Sequence, residues 1–113
     1  MDGADWEQKW KLSAESLTPL VVMFTAKWCA PCKKVYPLFT ELCEKYGSDT
    51  GEAHHPSAIF VKVDIDAHKE LARKYNPTKM IPTFVILDRG EDVARLTGAN
   101  REKLAAFVAE ALD

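Results

Sequence analysis

Long apolar runs, surplus basic charge and cysteine are all scarce in this sequence, and each scarcity excludes something. No apolar run approaches the roughly 20 residues that a membrane-spanning helix needs, so no transmembrane segment is expected. Lysine and arginine total 15 against 17 acidic residues, giving a net charge of −2 and an isoelectric point near 5.9. A nucleic-acid binder would normally carry a basic excess, so none is expected here. Three cysteines are too few for the disulfide framework of a small secreted domain and fit a reducing cytoplasm with one working dithiol. No Gly-x-Gly-x-x-Gly string is present, which argues against a dinucleotide site, and no cofactor is expected. The stretch Met1-Asp2-Gly3-Ala4-Asp5 is acidic and has no apolar segment, so neither a secretory signal nor an Arg-rich transit peptide is expected.

What is present reads as one globular domain spanning residues 1–113. Hydrophobic residues make up 47% and charged residues 28%, the ordinary balance of a soluble protein with one core. A helix is predicted over Asp5–Ser16, with Trp6, Trp10, Ala14 and Leu17 on one face and both tryptophans as core anchors. Leu17-Thr18-Pro19 closes it. Leu20–Thr25 is apolar on both faces, the pattern of a central strand covered on both sides. A second helix follows over Pro31–Tyr46, with an apolar stripe of Val35, Leu38, Phe39, Leu42 and Tyr46 and an internal Pro37 expected to kink it. Gly47–Ser57 reads as a polar loop in which His54 and His55 are solvated.

Ala58–Asp64 is rich in β-branched residues and reads as a second strand. Asp66 is expected to cap a short helix through Leu71, Ala72 and Tyr75, which Asn76-Pro77 ends. Phe84–Leu87 and Val93–Thr97 read as a hairpin joined by a turn at Asp88–Glu91. Asn100 is placed as the N-cap of a last helix whose buried stripe is Leu104, Phe107, Val108, Ala111 and Leu112. Alternation ending in a hairpin predicts an α/β fold: a mixed sheet with helices on both faces.

The chemistry concentrates in Trp28-Cys29-Ala30-Pro31-Cys32-Lys33, at the junction of the first strand and second helix. The first turn of a helix has backbone N–H groups without intrahelical partners, and its dipole is positive there. A thiolate at that point is stabilised and becomes a nucleophile near neutral pH. Pro31 suits the first turn, where its missing N–H costs nothing. Cys32 lies one turn inside, within reach of a short disulfide to Cys29. The competing reading is zinc, which requires two further ligands. Only Cys43, His54, His55 and His68 remain; the only close pair among them is His54-His55, and adjacent residues on an extended chain point apart. No metal site is therefore expected. Cys43, beside Phe39 and Leu42 on the helix, reads as a partly buried, inert thiol.

These strings resemble the thioredoxin family. Trp28-Cys29-Ala30-Pro31-Cys32-Lys33 is similar to its active-site string, with Ala30 where glycine is more usual. Pro37 falls where the family kinks its helix, and Ile81-Pro82-Thr83 resembles its cis-proline segment. Gly90 matches the hairpin glycine, Gly98-Ala99 the glycine patch near the dithiol, and Lys62 the lysine on the strand beside the central one. The resemblance runs from Leu20 to the carboxyl terminus. It departs from the family in three places. Met23 stands where many members carry a buried aspartate, the family's first strand is not evident in Met1–Asp5, and the loop over 47–57 is long. The thioredoxin fold it implies therefore has a four- or five-stranded mixed sheet.

The resemblance implies a protein disulfide oxidoreductase acting as a reductant. Cys29 would be the exposed nucleophile and Cys32 would resolve the mixed disulfide. Trp28, Ala30, Pro31, Ile81, Pro82, Gly98 and Ala99 would form the client-binding surface, and Met23 and Lys62 would tune the dithiol. Disulfide-containing clients, an NADPH-dependent flavoprotein reductase as electron donor, a monomeric state and a cytoplasmic location are the matching expectations. The rival readings are a carrier of different poise or donor (tryparedoxin-like, oxidase or isomerase) and a binding module without catalysis.

Overall fold

The computed structural model describes residues 6–48 and 58–112. Its elements are α1 (Trp6–Ser16), β1 (Leu20–Thr25), α2 (Ala30–Tyr46), β2 (Gly47–Ser48), β3 (Ala58–Asp64), α3 (Lys69–Tyr75), β4 (Thr83–Asp88), β5 (Glu91–Thr97) and α4 (Arg101–Leu112). The unbroken apolar run of β1 takes the centre of a mixed sheet ordered β2-β3-β1-β4-β5. Val22 faces Val61 of β3 in a parallel pair and Val85 of β4 in an antiparallel one. A strand buried on both faces gains nothing from polar alternation, and Leu20 through Phe24 are each at most 1% exposed.

Period-two alternation along β1 feeds two separate cores. Val21 and Met23, with Phe60, Phe84 and Ile86, pack against Val35 and Phe39 of α2 and Leu104 and Val108 of α4. Phe39 is the hinge of that layer, its ring 5.4 Å from Phe60 edge-on and 5.8 Å from Phe84. Leu20, Val22 and Phe24, with Val61 and Val85, pack on the other face against Ala72 and Tyr75 of α3 and the two α1 tryptophans. Trp6 stacks on Trp10 at 5.8 Å and meets Tyr75 at 5.7 Å.

Five differences from the sequence reading have physical causes. First, Gly47 and Ser48 are not loop but a two-residue edge strand, with Gly47 paired to Ala58. Only glycine fits: a Cβ there would lie 1.8 Å from the Ala58 carbonyl oxygen. The rest of the expected loop, with His54 and His55, lies outside the described residues, as does the Met1–Asp5 stretch.

Second, the inward face of α1 is Trp6, Lys9, Trp10 and Ser13, while Ala14 and Leu17 are exposed. The Lys9 ammonium donates to the Phe60 carbonyl, so its stem can cover apolar surface while its charge is hydrogen-bonded. The Ser13 hydroxyl donates to the Thr18 carbonyl, and Leu17 turns the chain with φ of 57°.

Third, Asp66 does not cap α3. The Asp64 carboxylate instead accepts the N–H groups of Asp66 and Ala67 at 2.8 and 3.3 Å. That turn holds the chain until α3 begins after His68, which makes no side-chain cap bond. Fourth, Ala111 is exposed, although Leu104 and Val108 of the same stripe are buried. Asn100 does cap α4, accepting the Lys103 N–H at 2.9 Å. Fifth, α2 begins one residue earlier than expected, because Cys29 itself is its N-cap.

Candidate active site

The β1–α2 junction builds the site from backbone geometry upward. Beyond Thr25 the Cys29 N–H donates to the Ala26 carbonyl at 3.1 Å, turning the chain out of the sheet. Cys29 is extended, with φ −88° and ψ 101°, as an N-cap requires. Its Sγ accepts the Cys32 N–H at 3.2 Å, one of the donors that a helix start leaves unpartnered. Pro31 occupies the first turn, and Cys32 follows with its Cα 5.3 Å from that of Cys29, the two joined by a disulfide.

Cys29 was expected to be exposed. It is only 4% exposed, against 1% for Cys32, and both belong to the buried cluster that includes Ala26 and Val35. Trp28 beside it is 67% exposed, and Ala30 and Pro31 are exposed as well.

A second segment packs on the core cluster that holds the dithiol. Ile81–Pro82 is a cis peptide. The Thr83 hydroxyl donates to the Met80 carbonyl at 2.6 Å, and the Gly98 N–H donates to the Pro82 carbonyl at 2.9 Å. The first bond holds the turn into β4 and the second ties it to the end of β5, so Pro82 and Gly98 lie together. Ile81 and Ala99 both pack against the core cluster that contains Cys29 and Cys32. Ile81, Gly98 and Ala99 are half-buried and Pro82 is buried.

Met23 and Lys62, expected to tune the dithiol, lie on the neighbouring strands β1 and β3. Met23 is fully buried in the same cluster as Cys32. Lys62 pairs with Met23 across the parallel strands. Its ammonium lies 4.6 Å from the centre of the Tyr36 ring, in an open groove that Cys32 also lines.

Two neighbours escaped the sequence reading. Asp66 Oδ2 accepts the Trp28 indole N–H at 2.8 Å, fixing the tryptophan from 38 positions away, a distance at which no sequence pattern signals contact. Met80, next to Ile81, is 56% exposed and reads in sequence as nothing more than a lead-in to β4.

The thioredoxin family model matches residues 4–110, and the chain belongs to that family. It is 39% identical over 103 residues to thioredoxin H4 of Arabidopsis thaliana, covering 91% of this chain and 79% of that one. It is 37% identical over 101 residues to thioredoxin of Gallus gallus, covering 89% and 85%. The crystal structure of a poplar wild-type thioredoxin h superposes with a TM-score of 0.82 at 31% identity, over 97% of this chain and 90% of that one. With its Cys29–Cys32 pair in place, the chain is a dithiol-disulfide oxidoreductase acting on disulfide-containing targets. Among the described residues no helix is long and apolar enough to cross a membrane.

Proposed function

We propose that the chain is a single-domain electron carrier that reduces protein disulfides, with Cys29 as nucleophile and Cys32 as resolving thiol. The observation that supports this order is Cys29 Sγ acting as the N-cap of α2 and accepting a backbone N–H. Both that hydrogen bond and the helix dipole favour the thiolate once the pair is reduced. The Cys29 thiolate attacks a client disulfide, forming a mixed disulfide and releasing one client thiolate. Cys32 then attacks the Cys29 sulfur, releasing the second client thiolate and closing Cys29–Cys32. Two electrons pass to the client. An NADPH-dependent flavoprotein reductase returns them, in a reducing cytoplasm where the chain works as a monomer.

Trp28, Ala30, Pro31, Ile81, Pro82, Gly98 and Ala99 form the client surface, and the Ile81 backbone pairs with an extended client segment by strand addition. Met23, from the core cluster under the pair, and Lys62, from the groove that Cys32 lines, tune the dithiol. Cys32→Ser is expected to accumulate covalent client adducts and Cys29→Ser to form none and to lose disulfide reduction. Adducts on Cys29→Ser alone would reverse the assignment.

A further inference from the structure

Beside the disulfide lies an open groove of about 940 Å³ whose walls include Cys32, Lys27, Lys33, Lys62, Asp64 and His68. Three lysines face one carboxylate there, in a chain that is net negative. Among the described residues the ion pairs are Lys11–Glu15 and Arg95–Asp92, so none of the three groove lysines is neutralised by one. The single carboxylate among the described lining residues, that of Asp64, accepts the N–H groups of Asp66 and Ala67 through one oxygen. Asp66, the next acid along, is held by the Trp28 indole. These neutral N–H donors leave both carboxylates charged, so three lysines stand against two acids and positive charge is in excess.

We propose that this groove is a carboxylate-binding subsite that selects client segments carrying Asp or Glu close to the disulfide cysteine. The inference rests on the reductant reading and deepens it. Cys32 lines the groove and its Cα is 5.3 Å from that of Cys29. A client bonded to Cys29 needs only about two residues, at roughly 3.3 Å each, to bring a side chain to the groove. Lys27 and Lys33 are exposed at the rim and Lys62 is half-buried within, so a carboxylate entering it meets positive charge at both depths. Lysine ammonium groups attract a carboxylate as point charges, without fixing a bidentate geometry, so the preference should follow the charge and not the shape of the cation.

The test uses two disulfide-linked peptide substrates identical except for Glu or Gln two residues from the cysteine. Wild type is expected to prefer the Glu peptide in kcat/KM by about fivefold at low ionic strength, the scale of a few partly exposed ion pairs. That ratio should approach one in Lys27→Gln/Lys33→Gln, be retained in Lys27→Arg/Lys33→Arg, and shrink at about 0.5 M salt. A ratio near one in wild type, or one insensitive to both double variants, overturns the proposal. A cysteine-free Glu peptide titrated into the oxidised protein provides the independent readout. Amide shifts at Lys62, Ala67 and His68 support the groove, and shifts confined to Trp28 and Ile81 overturn it. Should neither substrate be reduced, the reductant reading fails while the titration still decides the groove.

Discussion

Trp28 carries 67% of its surface to solvent, yet one end of it is fixed. Its indole N–H donates to the Asp66 carboxylate at 2.8 Å, so the ring stands as a pre-oriented wall beside Cys29 instead of sampling rotamers. A hydrogen bond between exposed groups adds little to folding, because water replaces it. Trp28→Phe should therefore lower stability in denaturant titration by no more than about 1 kcal/mol. Reduction of a protein disulfide should fall more clearly, since the ring that a client would meet is no longer held. Equal kcat/KM for Trp28→Phe and wild type would show that the tether to Asp66 has no part in client contact. Residues of this kind mark where reading the sequence stops. Asn100 was legible as a cap because its partner, the Lys103 N–H, is three residues away. Asp66 was not, because its partner is brought to it by the sheet.

At the scale of elements, the long strands and helices were legible because each carries its own period. β1, β3 and β4 are apolar runs bounded by turn residues, and α4 shows a helical stripe that is buried at Leu104 and Val108. β2 has only two residues, too few to display any period, and exists because β3 offers an edge. The inward face of α1 was misread because a lysine and a serine sit in it, made acceptable by hydrogen bonds to carbonyls that only the folded chain supplies.

Two glycines make these junctions testable. Gly47→Ala places a Cβ 1.8 Å from the Ala58 carbonyl oxygen, and since that neighbour is backbone the β2–β3 pairing must open. Gly90→Ala meets the Trp10 ring at 3.1 Å at a φ of +86°, where an L residue costs roughly 1–2 kcal/mol. Both should destabilise in denaturant melts, by about 1–3 kcal/mol, with Gly47→Ala the worse. In a double-mutant cycle, Trp10→Ala should relieve part of the Gly90→Ala cost, because it removes the crowding and leaves the backbone term. Complete additivity would mean that the hairpin and α1 do not press on one another.

For the whole molecule, the layering decides what chemistry can reach Cys32. The sheet places Met23 of β1 in the same core cluster as Cys32, and no acidic residue is among the described buried groups. Aspartate at position 23 would be desolvated, which disfavours its charged form and raises its pKa. Its folded value would exceed its unfolded one, so stability is lost as pH rises through that window and stays lost above it. Met23→Asp is therefore expected to be less stable than wild type by about 1–3 kcal/mol at neutral pH, with a smaller deficit in acid. Lys62, paired with Met23 in the register, limits the loss if its ammonium leaves the Tyr36 ring for the new carboxylate.

The kinetic consequence runs the other way. Resolution of a mixed disulfide requires the Cys32 thiolate, and methionine cannot take its proton. Cys32 also lines the lysine-rich groove, where Asp64 is the only carboxylate among the described residues. Decay of a mixed disulfide on wild type should therefore be slow near neutral pH and quicken as pH rises. Met23→Asp should hasten it at neutral pH and flatten the profile, while Asp64→Asn separates the groove's contribution. A wild-type rate already fast and level from mildly acidic to alkaline pH, unchanged by Met23→Asp but lost in Asp64→Asn, would overturn this expectation and make Asp64 the base that serves Cys32.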